Sequence, residues 1–148
     1  MRIVVDTNIV FSAILNSKSK IARILLQPKS NLNFYSTEQL LREIQEHKDK
    51  IQNISNYSDY ELNRVLLLIT SRIRFINVKL ISREFYEFAE SLTFDVDIDD
   101  TEFVALTEQI KGKLWSGDKE LHKGLIKKNW SRFISTEELF ERIIRKNK

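Results

Sequence analysis

Ile3, Val4 and Val5 form a short β-branched run that stops at the polar triplet Asp6-Thr7-Asn8, after which Ile9, Val10, Ala13 and Ile14 recur at helical spacing. The pattern predicts a strand, a sharp turn and a helix. Lys20 to Gln27 reads as a short helix stopped by Pro28, and Leu32 to Tyr35 as a strand leading into a helix from about Thr37 to Asn53. A helix from about Asp59 to Ser71 and a strand over Arg74 to Val78 come next, then helices over Arg83 to Leu92 and Thr101 to Lys111. Lys113 to Trp115 is a very short strand and Asp118 to Lys127 a helix, and Arg132 to Ile134 and Thr136 to Arg145 close the chain as strand and helix. Strands alternating with helices imply crossover connections, so the expected class is α/β, with a mostly parallel sheet and helices on both faces.

One local pattern occurs twice. Phe34-Tyr35-Ser36-Thr37-Glu38-Gln39-Leu40 and Phe133-Ile134-Ser135-Thr136-Glu137-Glu138-Leu139 share most of their residues. Each reads as a strand end followed by a capping box, with Ser36 and Gln39, or Ser135 and Glu138, in the reciprocal roles. Nothing outside these segments repeats, so the echo is a local solution used twice. The continuations differ, with Glu43 in the first helix where the second has Arg142.

Three Gly, one Pro and no low-complexity stretch leave little material for a linker, so residues 1–148 are expected to form one domain. A hydrophobic fraction of 42% against 30% charged residues is that of a chain able to build a core. The absence of Cys excludes disulfide frameworks, thiol nucleophiles and cysteine-bearing metal sites, and suits a reducing cytoplasm. Asp6 and Asn8 interrupt the apolar start, which argues against a signal peptide, and no stretch approaches the ~20 apolar residues of a membrane span. A formal charge of +3 is compatible with a nucleic-acid partner but is weak support for one.

The acids change the picture more than the net charge does. In parallel α/β sheets ligands gather beyond the carboxyl ends of the strands. Asp6 directly follows the first strand, and Asp118 follows Leu114-Trp115 by a Ser116-Gly117 turn. Asp97, Asp99 and Asp100 precede the helix that feeds this second strand, so they belong at the same edge. Glu43, seven residues past Ser36, would lie about 10 Å below the edge, with its long side chain pointing back toward the helix start. Like charges about 4 Å apart repel by about 4 kcal/mol at an effective dielectric near 20, and a divalent cation removes that conflict. Carboxylates without Cys or His favour hard ions held through oxygen, Mg²⁺ or Mn²⁺, which commonly serve phosphoryl chemistry.

Val5-Asp6-Thr7-Asn8, Glu43 within Leu40-Leu41-Arg42-Glu43-Ile44, Asp97 to Asp100 before Phe103-Val104-Ala105-Leu106, and Trp115-Ser116-Gly117-Asp118 stand in an order that resembles the PIN domain family of metal-dependent nucleases. Many members are toxins of toxin-antitoxin modules. The resemblance spans essentially the whole chain and implies an acidic quartet of Asp6, Glu43, Asp100 and Asp118, with Asp6 the central ligand and Asp97 an outer helper. It implies that Thr7, Asn8 and Ser116 orient carboxylates or touch phosphate. Departures are Thr101, where the family often has Ala, and Ser116, where it often has Thr; neither removes a ligand. Between neighbours, the helix cap is assigned to Asp99 and the metal to Asp100. The implied activity is an endoribonuclease of the toxin type, with RNA as substrate and a cognate antitoxin as partner.

Each residue also has a structural role open to it. Asp6, Asp100 and Asp118 precede helices, where acids cap or complement the dipole. Glu43 alone reads as a solvated helix residue, and Glu38 and Glu46 compete for its place. His47 and His122 read as solvated and without a role. Val65-Leu66-Leu67-Leu68-Ile69 reads as core, with neighbouring helices that could form a homodimer face or receive an antitoxin. Lys127, Lys128, Arg142, Arg145, Lys146 and Lys148 read as a solvated basic face able to follow a nucleic-acid backbone. The rival functions are a non-catalytic nucleic-acid-binding module and another Mg²⁺-dependent phosphoryl-transfer enzyme. Among the latter, a haloacid-dehalogenase-like phosphatase would want a second Asp at Asn8, and a response-regulator receiver an Asp near Asn77.

Overall fold

β1 (Arg2–Val5) is the middle of the sheet, and its Ile3, Val4 and Val5 are all fully buried. Successive side chains of a strand point to opposite faces, so both faces of β1 must be covered, as parallel sheets require. The computed structural model describes residues 1–28 and 31–146, and Lys148 and the side chain of Lys146 lie outside the described residues. After β1 come α1 (Thr7–Leu15), α2 (Lys20–Leu26), β2 (Asn33–Thr37), α3 (Glu38–Glu46), α4 (Lys48–Ser55), α5 (Asp59–Thr70) and β3 (Ile73–Ile76). α6 (Arg83–Thr93), α7 (Thr101–Ile110), β4 (Lys113–Trp115), α8 (Lys119–Ile126), β5 (Phe133–Ile134) and α9 (Thr136–Lys146) complete the chain, with 3-10 turns at Val78–Leu80 and Ile98–Asp100.

The strands pair in the order β3-β2-β1-β4-β5, and every pairing is parallel. α7 lies across β1, β2 and β4 with α6 packed on it, while α1 gathers α2, α3, α4 and α5. The result is the α/β/α arrangement expected from the alternation. The order in which strands are added reverses at β1: β2 and β3 are laid to one side, β4 and β5 to the other. The crevice between the carboxyl ends of β1 and β4 is therefore the switch point of the sheet. Val5 pairs with Trp115, so Asp6 and Ser116 leave the sheet side by side, and Asp6 N–H donates to the Trp115 carbonyl at 3.4 Å. Gly112 makes this entry to β4 feasible, since a Cβ there would lie 2.6 Å from the Arg2 carbonyl oxygen.

Several expectations are corrected. The helix expected over Thr37 to Asn53 is two helices, bent at His47 (φ −105°, ψ 12°), and the bend brings Ile51 into the core beside α1. The strand expected over Arg74 to Val78 spans Ile73–Ile76, and Val78 opens a 3-10 turn. The capping box at Ser36 and Gln39 does not form, because β2 continues through Thr37 and the buried Ser36 hydroxyl donates to the Val5 carbonyl at 2.9 Å. At Ser135 half of the box forms: Glu138 N–H donates to Ser135 Oγ at 3.1 Å, and the Glu138 carboxylate takes the Ser135 hydroxyl rather than its backbone N–H. A complete capping box, missed in the sequence, joins Ser58 and Glu61.

The apolar run at 65–69 is only partly core. Ile69 is buried, but Leu67 and Leu68 are exposed, because one stripe of α5 faces inward and a continuous run must also place residues outside that stripe. His122 is not a solvated residue: its ring stacks on Phe133 at 3.9 Å between centroids, and Nε2 stands 2.9 Å from the Ser116 carbonyl.

Candidate metal centre

Each carboxylate owes its place to an element boundary. Asp6 caps α1, its Oδ1 accepting from Ile9 N–H at 3.0 Å, and it is almost wholly buried. Burial pushes its carboxyl up to about 6, with Asp118 and Glu43 adding to the rise while hydrogen bonds from Ser116 and Ile9 oppose it. Asp118 caps α8, its Oδ1 accepting from Glu120 and Leu121 N–H at 3.0 and 3.2 Å. Ser116 links the two acids, since its hydroxyl bonds Asp6 and accepts from Asp118 N–H at 3.1 Å.

The stretch before α7 departs from expectation. A 3-10 turn intervenes, and Asp97, not Asp99, is its cap: Asp97 Oδ1 accepts from Asp99 N–H at 3.0 Å. Asp99 is exposed. Asp100 stands at the start of α7 with no side-chain capping bond, at φ −90° and ψ 0°. Its carboxyl is therefore free of structural duty, and burial first, then Asp97, Asp6, Asp118 and Glu43, push it up to about 8. The turn is closed at its base by the buried hydroxyls of Thr93 and Thr101, 2.6 Å apart, with Thr101 Oγ1 also 2.7 Å from the Ile98 carbonyl. Thr101, which departs from the common Ala, thus serves the geometry of this turn.

Asp97, Asp100 and Asp118 each offer an oxygen, and these lie within 4.8 Å of one another. Asp6 and Glu43 line the same cleft outside that trio. Glu43 accepts from Gln39 Nε2 at 2.6 Å, and Gln39 also donates to the Asp99 carbonyl at 2.7 Å, tying α3 to the acidic turn. Sequence gave Gln39 only a capping role; its spacing of four from Glu43 was the signal that could have found it. The cleft, about 560 Å³, is also lined by Thr7, Asn8, Arg42, Glu46, His47 and Tyr86. Glu46 and the exposed His47 therefore border the cleft, His47 Nδ1 standing 2.9 Å from the Glu43 carbonyl. Arg42 reaches Glu102 at 3.8 Å and places a cation at the rim.

The donor set fits a hard divalent cation. Oxygens sharing an octahedral ion at about 2.1 Å stand about 3 to 4.2 Å apart, so a trio within 4.8 Å needs only small side-chain movements. Burial first, and then the neighbouring carboxylates, hold the Asp100 carboxyl at about 8, and a bound cation would favour its ionised form. Thr7 Oγ1, buried beside the cleft, has no hydrogen-bond partner among the described residues and so has capacity for a water or a ligand oxygen.

Fold and site together define an α/β protein with an acidic cleft at the switch point of a parallel sheet. The PIN domain family matches residues 4–139, and the chain belongs to that family. PIN domains are generally nucleases that use divalent metals. The fold is similar to that of a chain in the crystal structure of VapBC2 from Rickettsia felis bound to a DNA fragment from their promoter. The TM-score is 0.62 at 15% identity, over 91% of this chain and 97% of that one. Comparison with curated protein sequences finds no match. No helix among the described residues is long and apolar enough to cross a membrane.

Proposed function

We propose that residues 1–148 form one PIN domain that hydrolyses RNA internally with Mg²⁺ or Mn²⁺, as the cytoplasmic toxin of a toxin-antitoxin module. The observation that carries this reading is the convergence of Asp97, Asp100 and Asp118 within 4.8 Å, with Asp6 and Glu43 in the same cleft. Asp97, Asp100 and Asp118 would hold the ion, and Asp6, fixed by Ile9 and Ser116, would add its charge to the same cleft. A divalent cation supplies Lewis acidity toward a phosphate oxygen and eases deprotonation of water. Glu43, oriented by Gln39, would accept a proton from the attacking water as the water oxygen bonds phosphorus and the bond to the ribose oxygen breaks, and the departing ribose oxygen would take a proton from solvent. Arg42 and Asn8 at the rim would meet phosphate oxygens, and Thr7 and Ser116 would steady the carboxylates. The fold likeness to VapBC2 supports the toxin reading, with an antitoxin as partner. The exposed Tyr60, Leu67 and Leu68 offer it, or a second copy of the chain, an apolar face.

The test is cleavage of a mixed pool of single-stranded and structured RNAs with Mn²⁺, Mg²⁺ or EDTA, comparing wild type with Asp6→Asn. Asn keeps the α1 cap, so the expected result is metal-dependent cutting that the substitution abolishes in a folded protein. Wild-type cutting by Asp6→Asn would sink the assignment, and metal-independent binding without cutting would favour a binding module.

A further inference from the structure

Asp97 and Asp118 belong to different elements, and a cation shared between them requires the two to stay in register. Asp97 ends the irregular stretch 94–97 after α6, whereas Asp118 opens α8. Among the described residues, two contacts join that stretch to α8 and the turn that follows it. The first is at Gly124, inside the helix, where a Cβ would fall 2.7 and 2.9 Å from Val96 Cγ2 and Cγ1 and 3.4 Å from Val96 Cβ. Carbon atoms in contact settle about 3.5 to 4.0 Å apart, so no larger residue fits at 124 unless Val96 moves. Valine branches at Cβ and has no long flexible end to swing aside. Glycine ordinarily weakens a helix interior, so the close approach is what this one provides.

The second contact is Lys128, just beyond α8. Its ammonium donates to the Leu92 carbonyl at 2.9 Å, pairs with the Asp95 carboxylate, and stands 4.9 Å from the centre of the Phe94 ring. Sequence grouped Lys128 with a basic face; instead it is a strap across the end of α6. Displacement of Val96 would carry Asp97 with it, because one peptide bond joins them and both backbone N–H groups rest on the same Thr93 carbonyl, at 3.0 and 2.9 Å, so a shift of the first disturbs the anchor of the second.

We propose that Gly124 and Lys128 are positioning residues that clamp the 94–97 segment onto α8 and so hold Asp97 within reach of Asp118 for a shared divalent cation. The clamp rests on the reading that Asp97, Asp100 and Asp118 hold such an ion. Neither residue lines the acidic cleft.

Mn²⁺ affinity of the full chain, measured by titration calorimetry alongside circular dichroism, tests the clamp in wild type, Gly124→Ala, Val96→Ala, the double variant Gly124→Ala with Val96→Ala, and Lys128→Met. Gly124→Ala is expected to weaken Mn²⁺ binding at least tenfold with helix content retained. Trimming Val96 in the double variant is expected to restore affinity to within threefold of Val96→Ala. A general defect in α8 would not be rescued in this way. Lys128→Met is expected to weaken binding about fivefold, against the direction of simple electrostatics, since removing a cation near carboxylates on its own tightens cation binding. Should Gly124→Ala fail to fold, Lys128→Met decides. Wild-type affinity in both variants, or tighter binding by Lys128→Met alone, overturns the clamp. A wild type that binds no Mn²⁺ removes the metal reading and the clamp with it.

Discussion

The β2–α3 and β5–α9 junctions begin with nearly the same residues and end in different chemistry. Leu40 and Leu139 are both fully buried, so the shared pattern anchors each helix on the core in the same way. The serines part company. β2 lies between β1 and β3, and its ladder continues through Ser36 opposite Phe75 and Thr37 opposite Ile76. Ser36 therefore stays in the strand and donates across to Val5. β5 is a two-residue edge strand that stops at Ile134, which frees Ser135 to cap α9. Release from capping lets Gln39 hold Glu43 and the Asp99 carbonyl, whereas Glu138 stays engaged with Ser135. A third strand thus decides whether one local sequence becomes a cap or part of an acidic cleft.

Exchanging the residues that distinguish the two helices gives the largest expected effect. Glu43→Gln should lower RNA cleavage by about 100-fold or more, the range of a lost general base, while Arg142→Gln, exposed on α9, should stay within about twofold. Equal losses in a cleavage assay would erase the functional contrast.

Charge sharpens it next. The Asp100 carboxyl is held at about 8 against an ordinary value of 3.8, so the folded protein favours its protonated form. Stability contributed by that preference is fully present below about pH 4 and is lost as pH rises through about 8. Asp100→Asn in EDTA should therefore be more stable than wild type by about 1 to 3 kcal/mol at pH 8, with the gain fading toward pH 4. Thermal melts across that range check it, and a flat difference would contradict the assigned burial and repulsion.

The smallest expected effect concerns the serines themselves. Ser135→Ala should cost about 1 kcal/mol by loss of a cap and quicken amide exchange at Glu138. Ser36→Ala should cost about 1 kcal/mol through the bond to Val5 without quickening exchange at Gln39. Similar exchange at both helix starts would mean that the junctions do not differ.

Much of this was legible in the residues. The β-branched run ending at Asp6 and the short Leu114-Trp115 strand ending before Asp118 mark strand ends directly, and the alternation supplies the rule that such ends share an edge. The division of labour among Asp97, Asp99 and Asp100 was not legible, because a 3-10 turn ahead of α7 shifts the cap by two residues and no spacing reveals it. The bend at His47 was hidden for a related reason. No Gly or Pro marks it, and the apolar period runs across it; the burial of Ile51 beside α1 shows the reason only in three dimensions. Leu67 and Leu68 looked like core since hydropathy does not say which side of a helix has a neighbour.

Calorimetric titration of wild type and Asp100→Asn with Mn²⁺ at pH 7, in two buffers of different protonation enthalpy, tests most directly whether the acidic cleft is a cation site. Wild type should bind with release of protons, because a carboxyl held at about 8 is mostly protonated at that pH, and Asp100→Asn should lose at least tenfold in affinity together with the proton release. Absence of Mn²⁺ binding by wild type, or equal affinity in the two proteins, would contradict it.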